Sequence, residues 1–478
     1  MDSNEFRKQA HLMVDWMADY MENVEDYPVK SQVAPRDIYE QIHAAIPEQG
    51  EKMESIFSDF KKIILPGITH WQNPNFYAYF QANTSPPSIL AEMLTATLGV
   101  QGMKWETSPA ATELEEKMME WLGDGIGIPE GWAGVIQDSA SMATLSAILT
   151  AREKRSNYQV NDEGYGGYTN LRVYCSDQTH SSIEKGAKIA GVGKRNVIKI
   201  PTNDLLEMRT DLLLEQIEAD IAEGFQPLCI VAALGTTGTM AMDPLEAIGK
   251  IANDHNIWLH VDAAYAGAAF LLPEYKILMS GIERADSFVF NPHKWLFTNF
   301  DCTAYFVKDK KGLLNTFSIL PEYLKTASDG LVNNYCDWGI PLGRRFRSLK
   351  LWFVLRYYGM EGLQKLLRFH IELAVWMETE INKRPDFELV VPRSMNLICF
   401  RYVPKGVDKL EDLNTLNEQL MQKLNAMGKL YLTHTKIHGI YTLRMSIGQT
   451  NVAQSHIKNA WKSIKETAVD LTNNNKGE

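Results

Sequence analysis

Between about residues 86 and 360 the chain alternates short apolar runs with longer stretches of helical periodicity. The short runs read as strands at Gly134–Gln137, Arg172–Ser176, Val197–Ile200, Leu228–Leu234, Ile257–Val261, Ser287–Phe290 and Thr303–Val307. Helical patterns fall between them, at Ser141–Lys154, Ser182–Ala190, Thr210–Glu223 and Pro244–His255. Alternation of this kind predicts a mostly parallel sheet covered by helices. Beyond residue 360 the order changes. A long helix, Glu361–Lys383, precedes strands at Phe387–Val391, Leu397–Tyr402, Lys429–His434 and Tyr441–Ser446, and a last helix runs from Val452 to about Leu471. That is an α+β module. Ahead of the sheet, Asn4–Met21 sets Phe6, Leu12, Val14, Trp16, Met17 and Tyr20 at helical spacing. A Pro-punctuated stretch, Tyr27–Pro47, and a second helical pattern, Glu51–Ile64, follow it. Such a segment has little core of its own and is expected to pack on another part of the molecule or on a second subunit. The chain therefore divides into an N-terminal helical segment (1–85), a large α/β domain (86–360) and a smaller C-terminal α+β domain (361–478).

Composition narrows the classes. At 478 residues the chain can bury a large core, and a net charge of −11 argues against a nucleic-acid footprint. No segment approaches the ~18 uncharged apolar residues of a membrane helix, so no membrane association is expected. Met1–Lys8 is polar with no apolar run behind it. The cysteines at 175, 229, 302, 336 and 399 are odd in number, scattered and without metal spacing. They read as reduced thiols of a cytoplasmic protein, and no metal site is expected.

Asn291-Pro292-His293-Lys294-Trp295 is the stretch richest in chemistry. It places a lysine just past a buried strand, where desolvation lowers an ammonium pKa and makes the amine nucleophilic toward an aldehyde. Alternatively the lysine stem covers apolar surface while its head reaches water. About thirty residues upstream, Ile257–Val261 delivers Asp262 to the carboxyl end of a neighbouring strand, where open α/β sheets bind ligands. Asp262 could cap a helix. It could equally pair with the ring nitrogen of pyridoxal phosphate (PLP), whose recognised partners are a lysine imine and a carboxylate. An aspartate and a lysine on successive core strands are far more specific together than either alone.

Other strand ends add to the same edge. Gln137-Asp138-Ser139-Ala140-Ser141 opens a helix, and free N–H groups at a helix N-terminus suit a phosphate, although a plain serine cap has the same pattern. Leu234–Thr239 brings hydroxyls, including that of Thr237. Cys175–Ser182 carries His180, a flat imidazole that could stack on a pyridine or simply lie in a surface loop.

Together with Asn299-Phe300-Asp301-Cys302, Pro66–Trp71, Asn75–Phe80, Ser108-Pro109-Ala110, His260–Gly267 and Pro341–Arg347, these motifs resemble group II PLP-dependent decarboxylases, and most of all the aromatic L-amino-acid decarboxylases. The resemblance runs nearly end to end. It implies PLP fold type I, as in aspartate aminotransferase, and a homodimer with its active site at the interface and the N-terminal segment packed across the partner. It implies PLP carried on Lys294, with Asp262 on the pyridinium nitrogen and His180 stacked on the ring. Ala140, Ser141 and Asn291 would hold the phosphate, with Thr237 close to the cofactor and His293 beside the lysine.

Pro321-Glu322-Tyr323-Leu324-Lys325 resembles the family's catalytic loop, in which a tyrosine protonates the substrate Cα. Relatives that make aldehydes tend to carry Phe there or a changed stacking histidine. Keeping Tyr323 and His180 implies simple decarboxylation to an amine. The alternatives are an aromatic aldehyde synthase or a silent PLP-binding homologue. The resemblance also implies that the substrate side chain meets Trp71, Tyr79, Phe80, Val100 and Met103, with Phe300 at the interface. Trp71 and Phe80 could instead be core residues. Gly343 stands where phenol-preferring relatives often carry Ser. A glycine leaves more room, so tryptophan is the favoured substrate, with phenylalanine, tyrosine and dopa behind it.

Overall fold

The computed structural model describes residues 1–319 and 331–474. The chain forms two compact units, Ala82–Phe369 and Met1–Gln81 with His370–Glu478.

The larger unit is built on seven strands: β1 (Ala133–Gln137), β2 (Leu171–Ser176), β3 (Val197–Ile200), β4 (Gln226–Ala233), β5 (Trp258–Asp262), β6 (Ser287–Phe290) and β7 (Thr303–Val307). Their order is β1-β7-β6-β5-β4-β2-β3. Strands β2 to β6 pair in parallel, while β7 runs antiparallel to both its neighbours, β6 and β1. Two reversals restore direction, so β1 is parallel to β6. Six strands therefore end on one edge of the sheet, at Gln137, Ser176, Ile200, Ala233, Asp262 and Phe290. β4 is buried from Pro227 onward, and β6 and β7 throughout, which is why these segments read as unbroken apolar runs. The helix Ala140–Arg155 covers the sheet through Ala143, Ala147, Ile148 and Ala151, which join Val173, Val231, Val289 and Tyr305 in one core.

The smaller unit carries an antiparallel sheet, β8 (Phe387–Leu389), β9 (Leu397–Tyr402), β10 (Thr433–Ile437) and β11 (Ile440–Ser446), in the order β10-β11-β9-β8. The helices Leu410–Ala426 and Gln454–Asn474 pack against each other, the first also on β11. The strand expected at Lys429–His434 lies later, at Thr433–Ile437. His438 and Gly439 both take positive φ (49° and 84°), closing a two-residue hairpin that fixes β10 against β11. Tyr431 instead bridges Phe76, and its carbonyl accepts from the Tyr77 N–H at 3.0 Å.

That contact explains how this division differs from the three expected segments. Residues 76–81 run beside Tyr431 and Ser446, so the N-terminal segment shares a unit with the C-terminal module. The larger unit ends at Phe369, close to the expected boundary near 360 and inside the helical stretch Arg347–Asn382. Gly359, at φ 63°, interrupts that stretch, a conformation glycine adopts without a Cβ penalty. The N-terminal helix Ser3–Glu22 is capped by Asp2, packs a half-buried Trp16 edge-on against Phe57 and Phe60, and leaves Phe6, Leu12 and Val14 exposed.

Candidate active site

The carboxyl edge of the large sheet gathers the expected residues of this unit. Asp262 ends β5, level with Ala233 of β4 and Val289 of β6, and its Oδ1 accepts from the Ala264 N–H at 3.0 Å. Lys294 lies in the short turn of helix Pro292–Trp295 that follows β6, partly buried, with its N–H donating to the Asn291 carbonyl at 2.9 Å. His180 follows β2. Its Nδ1 accepts from the Ser182 N–H at 3.1 Å and lies 2.8 Å from the Ser182 hydroxyl, so the ring proton sits on Nε2. Desolvation holds its pKa below the ordinary 6.5, with the Lys294 ammonium working the same way and the Asp262 carboxylate opposing both. The three groups thus share one electrostatic field, and His180 presents a neutral ring.

The next layer fixes these residues. Asn291 is buried, its N–H donating to Ala264 and its Oδ1 accepting from the Thr303 hydroxyl at 3.0 Å. His293 is buried and neutral: burial first, then Lys294, push its pKa to about 3, against a smaller pull from Asp301. Its Nδ1 accepts from the Cys302 N–H at 2.9 Å, and its ring packs on Phe300 at 4.8 Å. Ala140 and Ser141 form the first turn of the helix capped by Ser139, whose hydroxyl accepts from the Met142 N–H at 3.2 Å. The leading N–H groups of such a turn have no partner within the helix. Thr237 is exposed on the loop after β4. That loop is held by Asp243, whose carboxylate accepts from the N–H groups of Ala233 and Met208, both at 2.8 Å.

Several supports had no sequence signal, because each joins residues far apart in the chain. The Asn83 carboxamide donates to the Lys294 carbonyl and its N–H to the His293 carbonyl. His260, fully buried under Asp262, lies 2.9 Å from the Ser287 hydroxyl and 3.4 Å from that of Thr144. Tyr323 lies outside the described residues.

The residues expected to meet the substrate are divided between the two units. In the smaller one, Trp71 stacks on Phe76 at 4.4 Å and on Tyr79 at 5.8 Å, and Tyr79 is half exposed with φ 52°. Phe80 is buried with the Arg444 guanidinium over its ring at 4.5 Å. Gln81 is fully buried, donating to the carbonyls of Phe76 and Ser446. In the larger unit, Val100 and Met103 are partly buried, and Phe300 is 63% exposed. A Cβ at Gly343 would lie 3.2 Å from the Nε2 of Gln101, and both residues are exposed.

Residues 35–403 match the family described as the pyridoxal-dependent decarboxylase conserved domain. The chain belongs to this family. It is 44% identical to phenylacetaldehyde synthase of Arabidopsis thaliana, over 98% of this chain and 96% of that protein. It is 42% identical to aromatic-L-amino-acid decarboxylase of Mus musculus, over 98% of both chains. The crystal structure of Oryza sativa TDC with PLP and tryptamine superposes with a TM-score of 0.96 at 35% identity, covering 98% of this chain and 99% of that one. The protein is thus a pyridoxal-dependent carboxy-lyase of fold type I, of the aromatic amino-acid decarboxylase or aldehyde synthase type, and its cofactor is PLP. The site's chemistry fits that group. A neutral imidazole, a carboxylate and a lysine share one field, and a helix N-terminus opens on the same sheet edge.

Proposed function

We propose that the protein converts an aromatic L-amino acid to the corresponding arylalkylamine and CO2, with tryptophan, phenylalanine, tyrosine and dopa as the candidate substrates. The observation that carries this reading is that His180, Asp262 and Lys294 stand at or just past the carboxyl ends of β2, β5 and β6, on one edge of the sheet. Lys294 would hold PLP covalently, Asp262 would keep the ring nitrogen protonated, and the His180 ring would lie against the pyridine. Ala140, Ser141 and Asn291 would hold the phosphate, with Thr237 and His293 alongside. When bound, PLP supplies an electron sink for the pair released as the Cα–carboxylate bond breaks.

The protein's own residues do the rest. His293, neutral and locked by Cys302, adds no charge beside the lysine and so leaves Asp262 as the counter-charge of the site. Tyr323 would deliver the proton to Cα, giving an amine rather than an aldehyde. Trp71 and Tyr79 in one unit, and Val100, Met103 and Phe300 in the other, each offer apolar or aromatic surface suited to a ring, and a site that excludes water would favour loss of the carboxylate as neutral CO2. The tryptamine in the Oryza sativa structure supports an aromatic side chain.

A homodimer is part of this proposal. Phe6, Leu12 and Val14 on the first helix, with Phe300, Ile340 and Leu342, leave large apolar side chains exposed that a second copy would cover. No helix among the described residues is long and apolar enough to cross a membrane. A cytoplasmic location is proposed from the five cysteines, which form no disulfide among the described residues.

The test is to load the purified protein with PLP, supply the four amino acids and identify the products. Amine and CO2 without peroxide or ammonia are expected; aldehyde with both would identify the synthase instead. Lys294→Ala should abolish turnover and borohydride-stable cofactor labelling, and a label retained on another lysine would overturn the assignment. Tyr323→Phe should lose amine, and unchanged amine output would remove its role.

A further inference from the structure

We infer that the outer edge of β1 carries a second ligand site, a cleft that takes a protonated arylalkylamine, the product class of the reaction, in preference to the amino acid. Naming that cation as the product rests on the decarboxylase reading above; its binding does not.

The helix Pro109–Ile126 supplies the charge. Glu116, Glu120 and Asp124 follow at four-residue spacing, so they stand in a row on one helix face, where like charges repel. No basic residue occupies the last turn, where Asp124 sits beside the negative end of the helix dipole. Glu130, just past the helix, adds a fourth carboxylate to the same cleft. Lys117 pairs with Glu120, but Asp124 and Glu130 are exposed and have no ion pair among the described residues. The fold thus keeps a negative field there that it does not itself offset.

The cleft has a volume of about 890 Å³, and Trp132, Phe306, Tyr335 and Trp338 give it aromatic walls. Two features point to a ligand with both an ammonium and a ring. Tyr335 is only 2% exposed, yet its hydroxyl makes no hydrogen bond among the described residues. Burial, then the nearby Glu115 and Glu116 carboxylates, hold its pKa far above the ordinary value, so it remains a neutral phenol that needs a partner. Lys310 already shows how a cation sits here. Its Nζ lies over the Trp338 ring at 5.3 Å and donates to the Asn333 Oδ1 at 2.6 Å, while the Asn333 carboxamide donates to Glu116. The backbone adds an acceptor. Ile136 turns its N–H to Glu115 and its carbonyl to Arg344, away from β7, so Gly134, two residues earlier, turns its own N–H and carbonyl to the same outer edge, where it lines the cleft. An arylalkylammonium meets these groups with charge and ring together. The parent amino acid brings a carboxylate into the same negative field. An aliphatic amine has no ring to lay on the aromatic wall.

The experiment is calorimetric titration of the PLP-loaded protein after borohydride reduction, so that amines cannot exchange onto the cofactor. The probes are 2-phenylethylamine, phenylalanine and butylamine at neutral pH and low salt. The wild type should bind 2-phenylethylamine about tenfold tighter than either of the others. Asp124→Asn combined with Glu130→Gln should weaken that binding about fivefold, and added salt should do the same. Tyr335→Phe should weaken it about fivefold as well. The double variant should keep the kcat/KM of the unreduced protein, which separates this cleft from the PLP site. No binding by the wild type, equal affinity for the three probes, or an affinity unchanged in the double variant would overturn the proposal. Should the protein release no amine from any aromatic amino acid, the decarboxylase reading falls and the word product with it, while the titration still judges the cleft.

Discussion

The Asn83 carboxamide donates to the Lys294 carbonyl at 2.6 Å across 211 positions of sequence, and the Asn83 N–H donates to the His293 carbonyl at 3.0 Å. Two consecutive carbonyls of the lysine turn are thus held by one residue. Asn83→Ala removes the side-chain donor from a part-buried hydrogen bond, a cost of about 1 kcal/mol. A lower Tm and a reduced kcat with little change in KM are expected, because the turn that aims Lys294 loosens while the substrate wall stays. An unchanged kcat would show that the turn is held without Asn83.

Two buried groups bend stability in opposite directions with pH. Burial pushes His260 from 6.5 to about 4, so between those values the unfolded chain takes a proton the folded chain refuses, and stability falls as pH falls. Burial pushes Asp243 from 3.8 to about 7, despite two N–H donors, so over that window the folded chain keeps a proton the unfolded chain releases, and stability rises as pH falls. Urea unfolding at pH 7 and pH 5 separates them. His260→Gln should lose less stability than the wild type on acidification and Asp243→Asn more, each by about 2 kcal/mol.

Glu115 and Arg344 form a buried pair, Nη2 to Oε1 at 2.6 Å and Nη1 to Oε2 at 3.1 Å, and Glu115 also accepts from the Ile136 N–H. Glu115→Ala strands a guanidinium in the core, which costs about 3–5 kcal/mol. Denaturant titration should show that loss, and a change near zero would mean that water reaches the pair.

Gly235 opens the Thr237 loop at φ 99°, and a Cβ there would lie 2.7 Å from that of Ala266. Gly235→Ala combines backbone strain with a clash, a cost of about 2 kcal/mol. Weaker PLP retention in dialysis, with the far-ultraviolet dichroism preserved, is the expected outcome.

Strand and helix positions in the large unit were legible because both faces of the sheet are buried, so β4 and β7 appear as unbroken apolar runs between helical periods. The clustering of Asp262, Lys294 and His180 was legible for the same reason, since parallel strands bring successive carboxyl ends to one edge. The β10 register was not, because the positive φ of His438 carries no strong sequence signal ahead of Gly439.

The sequence by itself determined the alternation of strands and helices, and with it the edge on which the chemistry collects. Periodicity is a local property, and the parallel sheet converts it directly into position. Only the tertiary structure decided that Asn83 holds the Lys294 turn, that Phe80 lies buried under Arg444, and that Gln101 lies beside Gly343. Each of those depends on segments far apart in the chain packing to within a few tenths of an ångström, and no local pattern of residues encodes that fit.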